Sequence, residues 1–132
     1  MTDCICRYGV MHAFDNNDLI SRSLILYGEW AQNEINIIRK LIKPGDHIVD
    51  IGAFIGTHSR AFADAVGPKG LVWAFEPNPQ VLSLLRQNAD ISVPQVINVI
   101  GVALGDSDGT TSLYINLKGN FGASYIGTEN QN

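Results

Sequence analysis

The stretch Val49-Asp50-Ile51-Gly52-Ala53-Phe54-Ile55-Gly56-Thr57 decides the fold. An acid stands at the end of an apolar run, Gly-x-x-x-Gly follows, and a helical pattern then begins. Gly52 carries no side chain to block a ligand crossing the strand's carboxyl end. Gly56 permits a tight turn into the helix, whose first-turn N–H groups lack backbone partners and can receive an anion. Taken alone, such a segment is more often a tight turn between strand and helix than a ligand site, so its meaning depends on what surrounds it.

Outward from it, apolar and helical runs alternate. Residues 30–42 read as an amphipathic helix, with Ile35, Ile38, Leu41 and Ile42 on one stripe, stopped by Pro44-Gly45. Residues 47–51 fit a strand buried on both faces. Residues 57–66 give a second helix with Phe62, Ala65 and Val66 inward, and residues 71–75 a second buried strand. Asn78-Pro79 supplies an N-cap and a first-turn proline for a helix that runs to about residue 89 and carries Val81, Leu84 and Leu85. Residues 96–104 make a third strand. Beyond an Asp-Gly turn, residues 111–116 make a fourth that hairpins back. The β-α-β-α-β order implies a parallel sheet with right-handed crossovers. Residues 1–43 form a strand-and-helix segment leading into this unit, which occupies residues 44–132. Within that segment residues 7–14 suit a strand, Asp15-Asn16-Asn17-Asp18 a turn, and residues 19–27 are ambiguous.

Three acids or loops fall at successive strand ends, which points to an adenosine-type ligand. Asp50 precedes Gly52. Glu76, in Ala74-Phe75-Glu76-Pro77, is placed to accept both ribose hydroxyls through its two oxygens. Pro77 would offer an apolar edge to adenine, and Ala103-Leu104-Gly105-Asp106 ends the third strand. A nicotinamide site usually shows Gly-x-Gly-x-x-Gly, so that pyrophosphate sits close to the backbone. Here the middle glycine is missing, and Asp50 would repel a pyrophosphate but favour an ammonium and a sulfonium. S-adenosylmethionine is therefore the better fit; a nicotinamide-dependent fragment and a non-catalytic adenosine-binding module that pairs with another chain are the alternatives. The candidate cofactor contacts are Asp50, Gly52, Ala53, Phe54, Gly56, Thr57, Glu76, Pro77, Gly105 and Asp106. His58, Asp64, Trp30 and Trp73 read as surface or packing residues.

Composition narrows the class. The 132 residues are 45% hydrophobic and 17% charged, enough for one domain with a core. A net charge of −4, with nine scattered Lys and Arg, argues against a nucleic-acid binder. Neither a bilayer-length apolar span nor a signal-like terminus is visible, so no membrane partner and a cytoplasmic location are expected. Cys4 and Cys6 have no matching Cys or His pair, and read as ordinary thiols on a short strand with no metal implied.

The sequence resembles the FkbM family of methyltransferases. The resemblance rests on Tyr27-Gly28-Glu29-Trp30 with Glu34, Pro44-Gly45-Asp46, the segment from Asp50 through His58, Phe75-Glu76-Pro77-Asn78, Ala103-Leu104-Gly105-Asp106 and Asn120-Phe121-Gly122. It implies a Rossmann-like class I methyltransferase fold, a three-layer α/β/α sandwich with a mainly parallel sheet. It further implies S-adenosylmethionine as cofactor and an acceptor hydroxyl on a sugar or secondary metabolite. Asp50, Gly52 and Gly56 would line the methionine side, Glu76 would hold the ribose, and the Gly28-Glu29-Trp30 and Glu34 region would cover the cofactor or face the substrate. The transfer is expected to be an in-line displacement assisted by a general base, and no catalytic residue is assigned. Two departures stand out. The family commonly has Asn where this chain has Phe54, and it continues with a strand bearing an Asp-x-Glu-Gly-type motif that does not follow here. The fold is thus expected to be the first half of the domain, incomplete at its C-terminus, with one edge of residues 47–51 unpaired and open to self-association or a partner chain.

Overall fold

A computed structural model describes residues 1–15, 18–115 and 121–127. The chain opens with an antiparallel hairpin, β1 (Thr2–Cys6) and β2 (Gly9–Ala13), followed by helices α1 (Leu19–Tyr27) and α2 (Gln32–Arg39). Then come β3 (His47–Ile51), α3 (Thr57–Val66), β4 (Leu71–Phe75), α4 (Pro79–Asp90) and β5 (Ile97–Ile100). Two-residue strands β6 (Leu113–Tyr114) and β7 (Tyr125–Ile126) close the described chain. No helix among these residues is long and apolar enough to cross a membrane.

The central sheet is parallel, in the order β3-β4-β5, with Asp50 opposite Ala74 and Ala74 opposite Val99. Alternation of side chains along each strand puts Ile48, Val72, Ala74, Ile97 and Val99 on one face. There α3 buries Phe62, Ala63 and Val66, and α4 buries Leu85. The Rossmann-like class I arrangement is present as a partial one. Both crossover helices pack on the same face, so the described residues form two layers rather than three. The opposite face carries Val49, Ile51, Trp73 and Phe75, and Val49 and Ile51 are 54% and 68% exposed. The expectation that β3 is covered on both faces is corrected accordingly. Among the described residues β3 lies at the end of the sheet, with β4 on one edge and no strand on the other.

Caps set the helix bounds. Asp18 accepts the Ser21 N–H through its side chain at the start of α1, and Asn78 accepts the Gln80 N–H at the start of α4. The expected helix over residues 30–42 is shorter, because Ala31 sits in the left-handed region (φ 49°) before α2 and the regular turn ends at Arg39. Leu41, counted on its apolar stripe, is consequently 78% exposed. The third strand covers only Ile97–Ile100, and β6 pairs with β7 rather than turning back on β5. Asn16, Asn17, Asn116 and Asn120 lie outside the described residues, as does the polar run from residue 128 onward.

The N-terminal hairpin docks on the sheet unit. Cys4, Met11, Ala13 and Leu24 share one buried cluster with Phe54, Ile55, Val81 and Leu84, and Trp30 packs against it. Two polar residues fasten this contact. Arg60 of α3 is buried, and its guanidinium donates to the carbonyls of Asn88 (2.9 Å) and Tyr8 (2.8 Å). The Asn88 side chain accepts from His12 N–H (2.7 Å) and donates to the carbonyls of His12 (3.0 Å) and Ile55 (2.8 Å). The hairpin is thereby tied to the loop that follows β3.

Candidate functional site

The carboxyl ends of a parallel sheet are where its connecting loops diverge and leave room for a ligand. Here they are laced together by backbone bonds: Gly52 N–H (2.9 Å) and Ala53 N–H (3.0 Å) donate to Phe75 O, and Glu76 N–H donates to Ile100 O (3.1 Å). Above them opens a cavity of about 270 Å³, lined by Gly52, Phe54, Glu76, Pro77, Leu104 and Leu113 among others. Gly52 has φ 80°, a region that favours glycine, and a Cβ there would meet no protein atom within 4 Å, so that position faces open space. Gly56 (φ 91°) answers a different need. A Cβ on it would stand 3.0 Å from Leu85 Cδ1, so its bareness lets α3 approach α4.

Glu76 is 7% exposed and accepts two backbone bonds, from Phe54 N–H to Oε2 (2.9 Å) and from Asn78 N–H to Oε1 (2.8 Å). It thus holds the loops after β3 and β4 to one another. A carboxylate has about four acceptor sites, so both oxygens retain capacity for hydroxyl donors. This double role was not legible in the sequence, where Glu76 reads either as a ribose contact or as a solvated residue at a strand end; its burial excludes the latter.

Phe54 occupies the left-handed region at φ 51°, where a non-glycine residue is strained and Asn is tolerated best. Phe54 is buried and packs against the Phe14 ring at 6.3 Å between centroids. Truncation to alanine removes the packing and keeps the strain, whereas glycine removes both. Phe54→Gly is expected to cost about 2–4 kcal/mol of stability, and Phe54→Ala about 1 kcal/mol more, in urea denaturation. Equal losses would show that the backbone here is unstrained.

The other sequence candidates divide. Pro77 lines the cavity with Gly52, Phe54 and Glu76. Gly105 and Asp106 line an adjoining space of about 640 Å³ that also reaches Pro77 and Ile126. Ala53 is buried with Ala74 and Leu85 in the sheet core. Thr57 lines a separate narrow cleft beside Cys6, Tyr8 and Trp30. Glu29 pairs with Arg7 (2.5 Å) and Glu34 is exposed, so the segment around Trp30 does not line the cavity. Asp64 is exposed and pairs with Arg39 (2.7 Å). Cys4 and Cys6 are free thiols on β1 with sulfurs 3.6 Å apart, and burial pushes Cys6 up to about 12.

Asp50 turns under α3, where it accepts from Ser59 Oγ (2.5 Å), and does not line the cavity. Burial raises its pKa, against the lowering effects of the Ser59 bond and of neighbouring His58. A carboxyl whose folded pKa lies above its unfolded value favours folding while protonated, and that contribution is lost as pH rises through the folded pKa. Asp50→Asn keeps an acceptor for Ser59 and removes the buried charge. It should therefore raise the denaturation midpoint of the free chain at pH 7, with the gain vanishing below the ordinary value of 3.8. Urea melts at neutral and acid pH check this; a loss of stability at pH 7 would show that Asp50 has a stabilising ionic role.

Sequence reasoning missed Leu113, Ser124 and Ile126, which line the cavity from the β6–β7 hairpin. The only signal was the alternation after residue 110, since the partner strand is recognisable only once paired.

The methyltransferase FkbM domain model matches residues 50–132. The chain belongs to the FkbM methyltransferase family. Members of this family depend on S-adenosylmethionine. The chain is 34% identical over 79 residues to the ubiquinone/menaquinone biosynthesis C-methyltransferase UbiE of Burkholderia multivorans, covering 59% of this chain and 32% of that protein. It is 36% identical over 67 residues to ribosomal RNA large subunit methyltransferase E of Coxiella burnetii, covering 49% and 32%. The chain thus spans about a third of the length of these relatives. In fold it is similar to a SAM-dependent O-methyltransferase from Thermotoga maritima, with a TM-score of 0.53 and 16% identity, over 76% of this chain and 48% of that one.

Proposed function

We propose that this FkbM-family chain binds S-adenosylmethionine at the carboxyl ends of β3 and β4. In our reading it is the cofactor-holding part of an enzyme that methylates a hydroxyl of a sugar or secondary metabolite. One observation carries the cofactor reading: a buried carboxylate, Glu76, lines a cavity together with a glycine, Gly52, at which a side chain would meet no protein atom within 4 Å. When bound, the cofactor supplies a methyl group on a positively charged sulfur. The chain's own residues do the holding. Glu76 accepts from the ribose hydroxyls, Gly52 leaves room beside them, and Pro77 offers an apolar edge to the base. The hydroxyl acceptor rests on the family resemblance alone.

Calorimetric titration of the purified chain with S-adenosylhomocysteine tests the cofactor reading, with micromolar binding expected. A folded chain that binds none removes it, and displacement by NAD would turn the reading toward a nicotinamide site. The bare edge of β3, with Val49 and Ile51 exposed beside it, supports pairing with a second copy or another chain. Sedimentation velocity should show concentration-dependent association of the chain that Val49→Lys weakens; a monomer at every concentration would remove self-pairing. The unbridged Cys4 and Cys6 suit a reducing compartment such as the cytoplasm.

A further inference from the structure

We propose that Cys4, Cys6 and Met11, on the inner face of the N-terminal hairpin, form a buried three-sulfur site for monovalent copper. Alternation along β1 sends Cys4 and Cys6 to the same face, and their sulfurs stand 3.6 Å apart. The sequence shows no second Cys or His pair to complete a zinc site; the hairpin supplies a thioether instead. Met11 lies directly opposite Cys4 in the register, so its side chain rises from that face too. Cys4 (7% exposed) and Met11 (2% exposed) share one buried cluster, with Cys6 packed against it. Cys6 and Met11 also line the narrow cleft beside Tyr8, Trp30 and Thr57, which gives an ion a way in.

Softness, ligand number and charge select the ion. Thiolate and thioether ligands favour copper(I), whereas a closed zinc site takes four ligands. Among the described residues no three His, Cys, Asp or Glu side chains gather for a metal. An ion about 2.3 Å from each thiolate would see the two sulfurs at an angle of about 100°, which suits three or four ligands and not a linear pair. A disulfide fits less well. Residues two apart on a strand have Cα atoms about 6.6–6.8 Å apart, the outer limit of what a disulfide spans. Charge completes the match. Arg60 is 4% exposed, and its Nη2 would stand 2.6 Å from a Cβ on Gly9, the residue opposite Cys6. Its guanidinium donates to two carbonyls, and among the described residues no carboxylate pairs with it. Its charge already works against the burial that raises the Cys6 thiol. On binding, each thiol gives its proton to water. Two thiolates and one copper(I) then carry a single negative charge, which the buried guanidinium offsets; a divalent ion would leave that cation uncompensated.

The test is anaerobic titration of the reduced full chain with copper(I) against a colorimetric copper(I) chelator, for the wild type, Cys6→Ser and Met11→Leu. The wild type is expected to take one copper per chain and to melt at a higher temperature when loaded. Cys6→Ser should weaken binding by about fiftyfold and Met11→Leu by about tenfold, since even a group that only supports a metal ligand is worth about 10–100-fold. Undiminished affinity in either variant, shown folded by its melt, overturns the site. Copper-edge X-ray absorption of the loaded wild type reads the ligands without any variant and decides if a variant fails to fold. A shell of sulfur is expected there, and a histidine nitrogen in it overturns the site. So does a folded wild-type chain that takes up no copper, or one from which equimolar zinc(II) displaces it.

Discussion

Asn88→Ala is expected to lower the free energy of unfolding by about 3–5 kcal/mol, a large share of the roughly 5–15 kcal/mol that holds a domain of this kind together. The Asn88 side chain is 0% exposed and its amide makes three bonds, with His12 N–H, His12 O and Ile55 O as partners. Alanine would strand all three, at about 1–3 kcal/mol for each buried group left without a partner. The lower part of the summed range applies, because β2 is the strand of a peripheral hairpin that can loosen and admit water. The loss would not be confined to stability. Ile55 lies inside the loop from Gly52 to Gly56, so its carbonyl links the hairpin to the candidate site. Asn88→Asp should be at least as damaging, since a carboxylate oxygen would replace the donor that now faces two carbonyls. Equilibrium urea denaturation decides, and a loss under about 1 kcal/mol would mean that the hairpin is not fastened through this amide.

Glu76→Ala is expected to weaken S-adenosylhomocysteine binding by about two orders of magnitude, the scale of two charge-assisted hydrogen bonds lost from a buried site. Its structural consequence is separable. The Phe54 and Asn78 N–H groups would lose their acceptor, for an expected stability loss of about 2–4 kcal/mol. Glu76→Gln retains one carbonyl oxygen for one of these donors and sets an amide group against the other, so a loss of about 1–2 kcal/mol is expected. The pair of variants distinguishes a ligand contact from a loop staple. Calorimetry on Glu76→Gln, at a temperature where melts show it folded, reads the ligand contact with the loops largely in place. Undiminished binding there would remove Glu76 from the ribose. Wild-type stability in Glu76→Ala would show that the two loops hold together without it.

Much of the sheet unit was legible because its determinants are local. β3 and β4 are short apolar runs stopped by glycine or proline, and α3 and α4 begin at a glycine turn and at Asn78-Pro79, so their observed bounds follow the residue pattern closely. The sites at the strand ends were legible in part for the same reason. Gly52, Phe54, Glu76 and Pro77 do meet at one cavity, because a parallel sheet brings successive carboxyl ends to one rim. Asn88 left a faint mark: it falls one helical repeat beyond Val81, Leu84 and Leu85, a polar residue on a buried stripe. Arg60 left no such mark: it lies off the stripe of Phe62 and Val66 on α3, and its burial comes from the docked hairpin, where it meets the Tyr8 carbonyl.

By itself, then, the sequence determined the alternation of strands and helices and which residues stand at the strand ends, since these depend on neighbours within a few positions. Tertiary structure alone decided three other matters: that β6 pairs with β7 and walls the cavity, that Asp50 turns under α3 toward Ser59, and that Glu76 is shared between two loops. Each depends on which distant group reaches a given donor, acceptor or apolar surface first. That choice is made only when the chain has packed, because side-chain direction and burial are properties of the assembled layers and not of the local run.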